Sequence, residues 1–347
     1  GYKNSFLANV SVQLPLVNFT LWQNIQNKQN DMEMIIEKVR ASKIEMTKQV
    51  KDAYYALLLG KSSLKVIEQS FDNAKETLKK VENSYKQGVV SEYDYIRAQV
   101  NVNSINPSLI NAKNGVDLAT MQLRMILSLP SDIDLTIKES LESFTDNLSF
   151  LNTLDKRSIM SGNSDLRVLD YNIKGLQNQL KTINTQHLPS LTAVGSYLYQ
   201  TQSEDFKIAD YTWIGSASIG LALNVPIFSG MTKVNQAKQV KMAIKGLQMQ
   251  RDYAKQGISL SVESAINSMN AAKEQLTVNK DAIKQAERGY EIAKVRYQVG
   301  SGTILELNSS ELSLTQANLV YQQSLYNFLS AQANLEILQN SLKVSEQ

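Results

Sequence analysis

The feature that most constrains this chain is that it carries the same long segment twice. RYQVGSGTILEL, from Arg296 to Leu307, has a counterpart in SYKQGVVSEYDY, from Ser84 to Tyr95. Tyr85 aligns with Tyr297, Gly88 with Gly300, Ser91 with Thr303 and Asp94 with Glu306, each pair 212 positions apart (297 less 85). Upstream the match continues as a heptad seam. Val262, Ala265, Met269, Ala272 and Leu276 run on to Ala293 and Tyr297 at alternating spacings of three and four, with Asn279 as the one polar member. The same offset gives Val50, Ala53, Leu57, Gly60 and Leu64, on to Val81 and Tyr85, all apolar or small. A 3.5-residue period supercoils helices left-handed against their neighbours. The many alanines in both seams set those neighbours close.

No proline falls between Pro15 and Pro107, or after Pro226. One long helix is therefore expected from about Thr20 to Lys86 and another from about Gly230 to Gln298, each on the order of 100 Å at about 1.5 Å per residue. Gly88 and Gly300 permit the turn that ends a helix. Ser91 to Asp94 and Thr303 to Glu306 read as capping boxes that open return helices, which run to about Leu129 and Leu342. Pro107 is expected to interrupt and kink the first return helix. Each repeat is thus a helical hairpin, and on the heptads alone a dimeric structural coiled coil is the simpler reading.

A different period precedes each long helix. Trp213, Gly215, Ala217, Ile219, Leu221, Leu223, Val225 and Ile227 alternate with small and polar residues, and Phe6 to Val17 repeats the pattern with Val10, Val12 and Leu14 on its apolar face. These are strands of period two. Leu188 to Gln200 pairs with the Trp213 strand as a hairpin, and Tyr197, Tyr199, Tyr211 and Trp213 gather near its loop. Strands of roughly 10 to 14 residues suit a tilted membrane crossing. A soluble sandwich accounts for the alternation equally well. However, three strands cannot close a barrel, and open edges cannot face lipid. Strands fused to such helices point to several chains sharing one barrel.

Composition excludes other classes. The 36 basic and 33 acidic residues leave a charge of only +3, with no basic run to track a phosphate backbone, so nucleic acid is not an expected partner. No cysteine is present, which removes disulfides and thiolate chemistry. A single histidine, His187, sits beside Pro189 and reads as a boundary residue, because a metal site needs several ligands. No phosphate-binding glycine loop or cofactor motif occurs, and no enzyme is expected. Met242 and Met249 read as helix surface or seam. No apolar run approaches the roughly 20 residues of a spanning helix.

The order of motifs resembles the TolC-like outer-membrane efflux proteins. The residues that carry the resemblance are LRMILSLPSDIDL, NSDLRVLDYNIKGLQNQLKT leading to HLPSL, then VPIFSG and RYQVGSGTILEL. The resemblance implies a mainly α fold with β: a tandem repeat of long helical hairpins plus transmembrane strands, forming a trimeric α-barrel and β-barrel channel. It divides the chain into a barrel strand (1–18), a helical hairpin (19–129, turn at 87–91), an equatorial linker (130–162), a helix (163–187), a barrel hairpin (188–228) and a second helical hairpin (229–347, turn at 299–303). It implies a homotrimer in the outer membrane of a Gram-negative bacterium with a large periplasmic portion. Each protomer would give four strands to a twelve-stranded barrel embedded in lipid. The channel would be the exit duct of a tripartite efflux pump or type I secretion system, with a periplasmic adaptor and an inner-membrane transporter as partners. No catalysis and no cofactor are implied. The counterpart of Asn163 to Thr212 is missing ahead of Gly1, so truncation is expected there.

The same resemblance implies a periplasmic gate at the hairpin tips, with Tyr297 linked to Asp94 and Glu306 at the first of two acidic positions lining the constriction. Ser309 replaces the second acid, and Gly302 stands where a basic residue is often found. Gly88, Ser91, Gly300, Gly302 and Thr303 form the tips that would dock the adaptor. Val10, Val12, Leu14, Ile219, Leu221 and Leu223 would face lipid. The alternative readings make Asp94 and Glu306 helix caps, Tyr85 and Tyr297 seam packing, and the chain a soluble periplasmic coiled-coil scaffold or adaptor.

Overall fold

Period two gives strands and the 3.5-residue seam gives helices, and the chain follows both. The structure, a computed structural model, describes all residues except 1–3, 131, 132, 134, 136, 148–158, 161, 205–209 and 339–347. Strand β1 (Asn4–Val17) leads into helix α1 (Phe19–Lys86), helix α2 (Glu92–Ile126) and a short 3-10 helix (Leu141–Asn147). Then follow α3 (Ser164–Thr185), β2 (Ser190–Ser203), β3 (Ile214–Asn224), α4 (Thr232–Gln298) and α5 (Ile304–Leu338). The fold is mainly helical with one small antiparallel sheet. No described helix is long and apolar enough to cross a membrane, which says nothing of strands. By its contacts the chain divides into two compact units, Gly1–Val39 with Ser164–Lys255, and Arg40–Asn163 with Gln256–Gln347.

The first unit holds the sheet, in the order β1-β2-β3. Its register sorts side chains by chemistry. Val10 is paired with Tyr197 and that with Ala217; Val12 with Gly195 and Ile219; Leu14 with Ala193 and Leu221. Residues directly opposite share a face, so these apolar members of the three strands lie together, while Leu7, Val194, Leu198 and Ile214 fall on the other face. They are open to solvent in this chain, with Val12 at 67% and Ile219 at 94% exposure. On the other face Ser11 is aligned with Ser196 and Ser218, whose hydroxyls are 2.8 Å apart. Near the loop end Tyr199 stacks on Trp213 at 5.1 Å and on Tyr197 at 6.4 Å. A Cβ at Gly215 would collide with the Tyr197 phenol, so the glycine makes room for the stack. Strand β3 is shorter than the alternation from Trp213 to Ile227 suggests. It ends at Asn224 because Pro226 has no N–H to give a ladder.

At the end of β1 the Asn18 side chain accepts the Leu21 N–H at 3.0 Å and starts α1. Charge pairs hold α3 in this unit: Arg167 with the buried Glu37 at 3.4 Å, Lys174 with Glu33 at 3.1 Å, and Arg251 with Asp170 at 2.5 Å. Buried Asn30 donates to the Tyr171 carbonyl at 3.0 Å. His187 lies exposed in the turn between α3 and β2, and Met242 and Met249 are exposed on α4.

The second unit is packed along the seams. Ala53, Leu57, Ala74 and Val81 of α1 are buried, as are Val262, Met269, Ala272 and Ala293 of α4. Leu58, Leu325, Phe328 and Leu335 form one core with Leu141 of the 3-10 helix, edged by Tyr55 and Phe144, whose rings meet edge to face at 5.6 Å. Tyr54 donates to Glu139, and burial, then that bond, pushes its hydroxyl up to about 12. Helix α2 continues through Pro107, contrary to the interruption expected. Pro107 removes one backbone donor, and the helical bonds on either side of it keep the helix. Ser128 ends α2 at a positive φ of 52°, with the Leu129 N–H bonded to the Arg124 carbonyl at 3.0 Å.

Candidate functional site

Backbone geometry builds the hairpin tips first. Gly88 and Gly300 take φ of 72° and 74°, in the left-handed region where a side chain is strained. The Val89 N–H then reaches back to the Ser84 carbonyl and the Ser301 N–H to the Arg296 carbonyl, both at 2.9 Å. Both turns are Schellman motifs that satisfy the last carbonyls of the long helices. Gly302 has a separate reason: a Cβ there would lie 3.1 Å from the Tyr297 nitrogen and the Arg296 Cβ.

The return helices are capped differently. Thr303 Oγ1 accepts the Glu306 N–H at 3.2 Å, while the Glu306 carboxylate accepts the Thr303 N–H at 3.3 Å, a reciprocal capping box. In the first tip Ser91 Oγ accepts the Asp94 N–H at 3.1 Å but donates its own proton to the Asp94 carboxylate at 2.8 Å. Aspartate is one methylene shorter than glutamate, so it takes the hydroxyl. Arg296 adds an ion pair, its Nη1 3.6 Å from Glu306. Both partners are about half exposed, which limits the pair to less than about 1 kcal/mol.

Between the tips, Val81, Ala98 and Ile304 form a small core that also holds Tyr297, Tyr95 and Leu78. Tyr85 instead stacks on Tyr95, their rings 5.3 Å apart and nearly parallel. Burial raises the pKa of the Tyr297 hydroxyl, and the charge of Asp94 raises it further. Asp94 is thus within electrostatic reach, yet among the described residues no hydrogen bond joins the two. Ser309 is exposed on α5, and its carbonyl accepts the Ser313 hydroxyl at 2.9 Å.

Two residues of this region were not singled out by the sequence reading. Arg296 lies inside the RYQVG motif. Glu311 is only 4% exposed, and one of its carboxyl oxygens has no hydrogen-bond partner. Burial pushes its pKa up to about 7, against the opposing effects of a hydrogen bond from Asn73 and the charge of Lys294. A seam count along α5 finds it: Ile304, Leu307, Glu311, Leu314 and Asn318 follow the three-four spacing, and the acid occupies a core position. Its counterpart in the first repeat is Gln99, which donates to the Tyr95 hydroxyl at 2.9 Å.

Comparison with known proteins agrees with this architecture. The family described as outer membrane efflux protein matches residues 1–128 and 157–341. The outer membrane protein TolC of Salmonella enteritidis is 22% identical over 295 residues, 82% of this chain and 59% of its own length. TolC of Escherichia coli strain K12 is 25% identical over 264 residues, 73% of this chain and 52% of its own length. The chain therefore spans between half and three fifths of these relatives. Among solved structures, the outer membrane protein VceC from Vibrio cholerae has a TM-score of 0.72 at 14% identity, covering 97% of this chain and 87% of that one. The open state of the Neisseria gonorrhoeae MtrE outer membrane channel has a TM-score of 0.73 at 16% identity, covering 97% and 80%. At such identities the likeness is one of fold.

Proposed function

Because the chain belongs to the outer membrane efflux protein family, we propose that it is one protomer of a homotrimeric exit channel in the outer membrane of a Gram-negative bacterium. In this reading the strands join a shared barrel and the hairpins line a periplasmic tunnel. The observation that carries it is the sheet. Its apolar face, with Val10, Val12, Leu14, Ile219, Leu221 and Leu223, stands open, and β1 and β3 each have only β2 as a partner among the described residues. In lipid such edges must be paired, because an unsatisfied backbone group there costs several kcal/mol. Further strands complete the barrel, and the polar serine face turns to its water-filled interior.

The channel serves a tripartite efflux pump or type I secretion system. A periplasmic adaptor docks at the tips around Gly88, Ser91, Gly300, Gly302 and Thr303, and an inner-membrane transporter supplies the energy. Asp94, Tyr297, Glu306 and Ser309 form the gate. The Tyr297 hydroxyl, protonated at neutral pH, donates to Asp94 when the tips close. The protein moves cargo and catalyses nothing. Cell fractionation followed by native mass spectrometry of the detergent-extracted protein tests the reading. It expects a trimer from the outer membrane; a soluble periplasmic monomer or dimer overturns it and favours a coiled-coil scaffold.

A further inference from the structure

Helices α2 and α5 enclose a groove of about 670 Å³ beside the tips. Ile96 and Val100 of α2 and Leu305 and Leu312 of α5 line it, each between 48% and 69% exposed. Apolar side chains alone would leave its occupant undefined, but two acceptors on the α5 wall give it a chemical sense. Asn308 Oδ1 and Glu311 Oε1 are both buried and both lack a hydrogen-bond donor. They are three residues apart on one helix, so they lie on the same face. A buried acceptor without a donor costs about 1–3 kcal/mol, and more when charged.

The cations nearby have other partners, although the charge of Lys294 also acts on Glu311. Lys294 of α4 lies 3.8 Å from Glu291 and over the Tyr290 ring. Arg97, on the α2 wall, donates to the Tyr93 hydroxyl at 2.6 Å and lies over that exposed ring. Asn73 of α1 is near enough to lower the Glu311 pKa but leaves Oε1 without a donor. The remaining neighbour is Tyr290, whose hydroxyl is pushed up to about 12 by burial and then by Glu311, and so stays neutral.

We propose that the α2–α5 groove binds an amphipathic organic amine, its ammonium group donating to Glu311 Oε1 and Asn308 Oδ1 and its apolar body lying on Ile96, Val100, Leu305 and Leu312. The volume is that of a site for a drug-sized molecule. The ammonium supplies the donors that both oxygens lack and a positive charge that no side chain of the groove directs at them. Pairing needs the carboxylate form. With the acid titrating at about 7, affinity rises as the pH goes from 6 to 8.

Dansylcadaverine, a fluorescent primary amine that stays protonated over this range, is the probe, and its N-acetylated, uncharged form is the comparator. Fluorescence titration of the purified full chain at pH 8 is expected to give saturable binding, tighter for the amine by about tenfold. Glu311→Gln removes the preference for the amine and its pH dependence. Leu312→Ser, at a site exposed enough to leave folding intact, weakens both dyes. Equal affinity for the two dyes, or unchanged binding in both variants, overturns the proposal. So does the absence of saturable binding together with Leu312→Cys cross-linking two copies, which would assign the groove to a copy of this chain.

Discussion

Glu311→Gln should remove a pH dependence from the packing of the hairpin tips. In the folded chain the Glu311 carboxyl keeps its proton up to about pH 7, whereas in an unfolded chain it gives it up near 4.5. Between these values the folded state binds more protons, so its stability falls as pH rises. The contribution is fully present below about pH 4.5 and lost by about pH 7. The difference corresponds to about 3 kcal/mol, of which burial of a charge with one unpartnered oxygen is the source. Glutamine keeps the shape, can still pair with Asn73 and carries no charge. Hydrogen exchange of amides in α5 around Leu307 and Thr315, corrected for intrinsic rates, reads the opening free energy directly. In the wild type it should fall by about 2.5 kcal/mol between pH 5 and 8, and in Glu311→Gln it should stay level. Equal slopes in both proteins would refute the assignment and place the titrating group elsewhere.

Three further outcomes are expected. Asp94→Ala and Tyr297→Phe each remove one partner of the proposed gate and should raise single-channel conductance in a bilayer; unchanged conductance with normal assembly would reduce both residues to cap and packing. Leu221→Arg, on the open apolar face, should impair membrane insertion by about 2–4 kcal/mol, seen as lost membrane-embedded protein, and a normal yield would contradict the face assigned to lipid. Ser128→Gly relieves a positive φ at the end of α2 and should raise stability by about 0.5–1 kcal/mol in denaturant unfolding, whereas a loss would show that the serine side chain stabilises that turn.

Periodicity made the helices and strands legible, because a seam of three and four or an alternation of two is a local property of sequence. The φ of Gly88 and Gly300 could likewise be read from the glycines, since few other residues tolerate it. What escaped depends on partners distant in sequence or on the end of a pattern. Apolar alternation past Asn224 did not extend β3, because the missing N–H of Pro226 outweighs hydrophobicity. Pro107 did not interrupt α2, because the bonds on either side of it outweigh the one missing N–H. At the tips, the spacing that marks Asp94 and Glu306 as caps is local. Which proton each carboxylate takes depends on one methylene, and the charge of Glu311 is set by burial against α1 and α4.

The sheet has a consequence for how this chain must be handled. Its outer strands, β1 with 14 residues and β3 with 11, each offer one rim of backbone donors and acceptors to whatever arrives first. Correct partners and accidental ones compete for the same rims, so the outcome is decided by the order of encounter as much as by the depth of the final energy well. Any handling of the isolated chain has to keep such rims from pairing with one another.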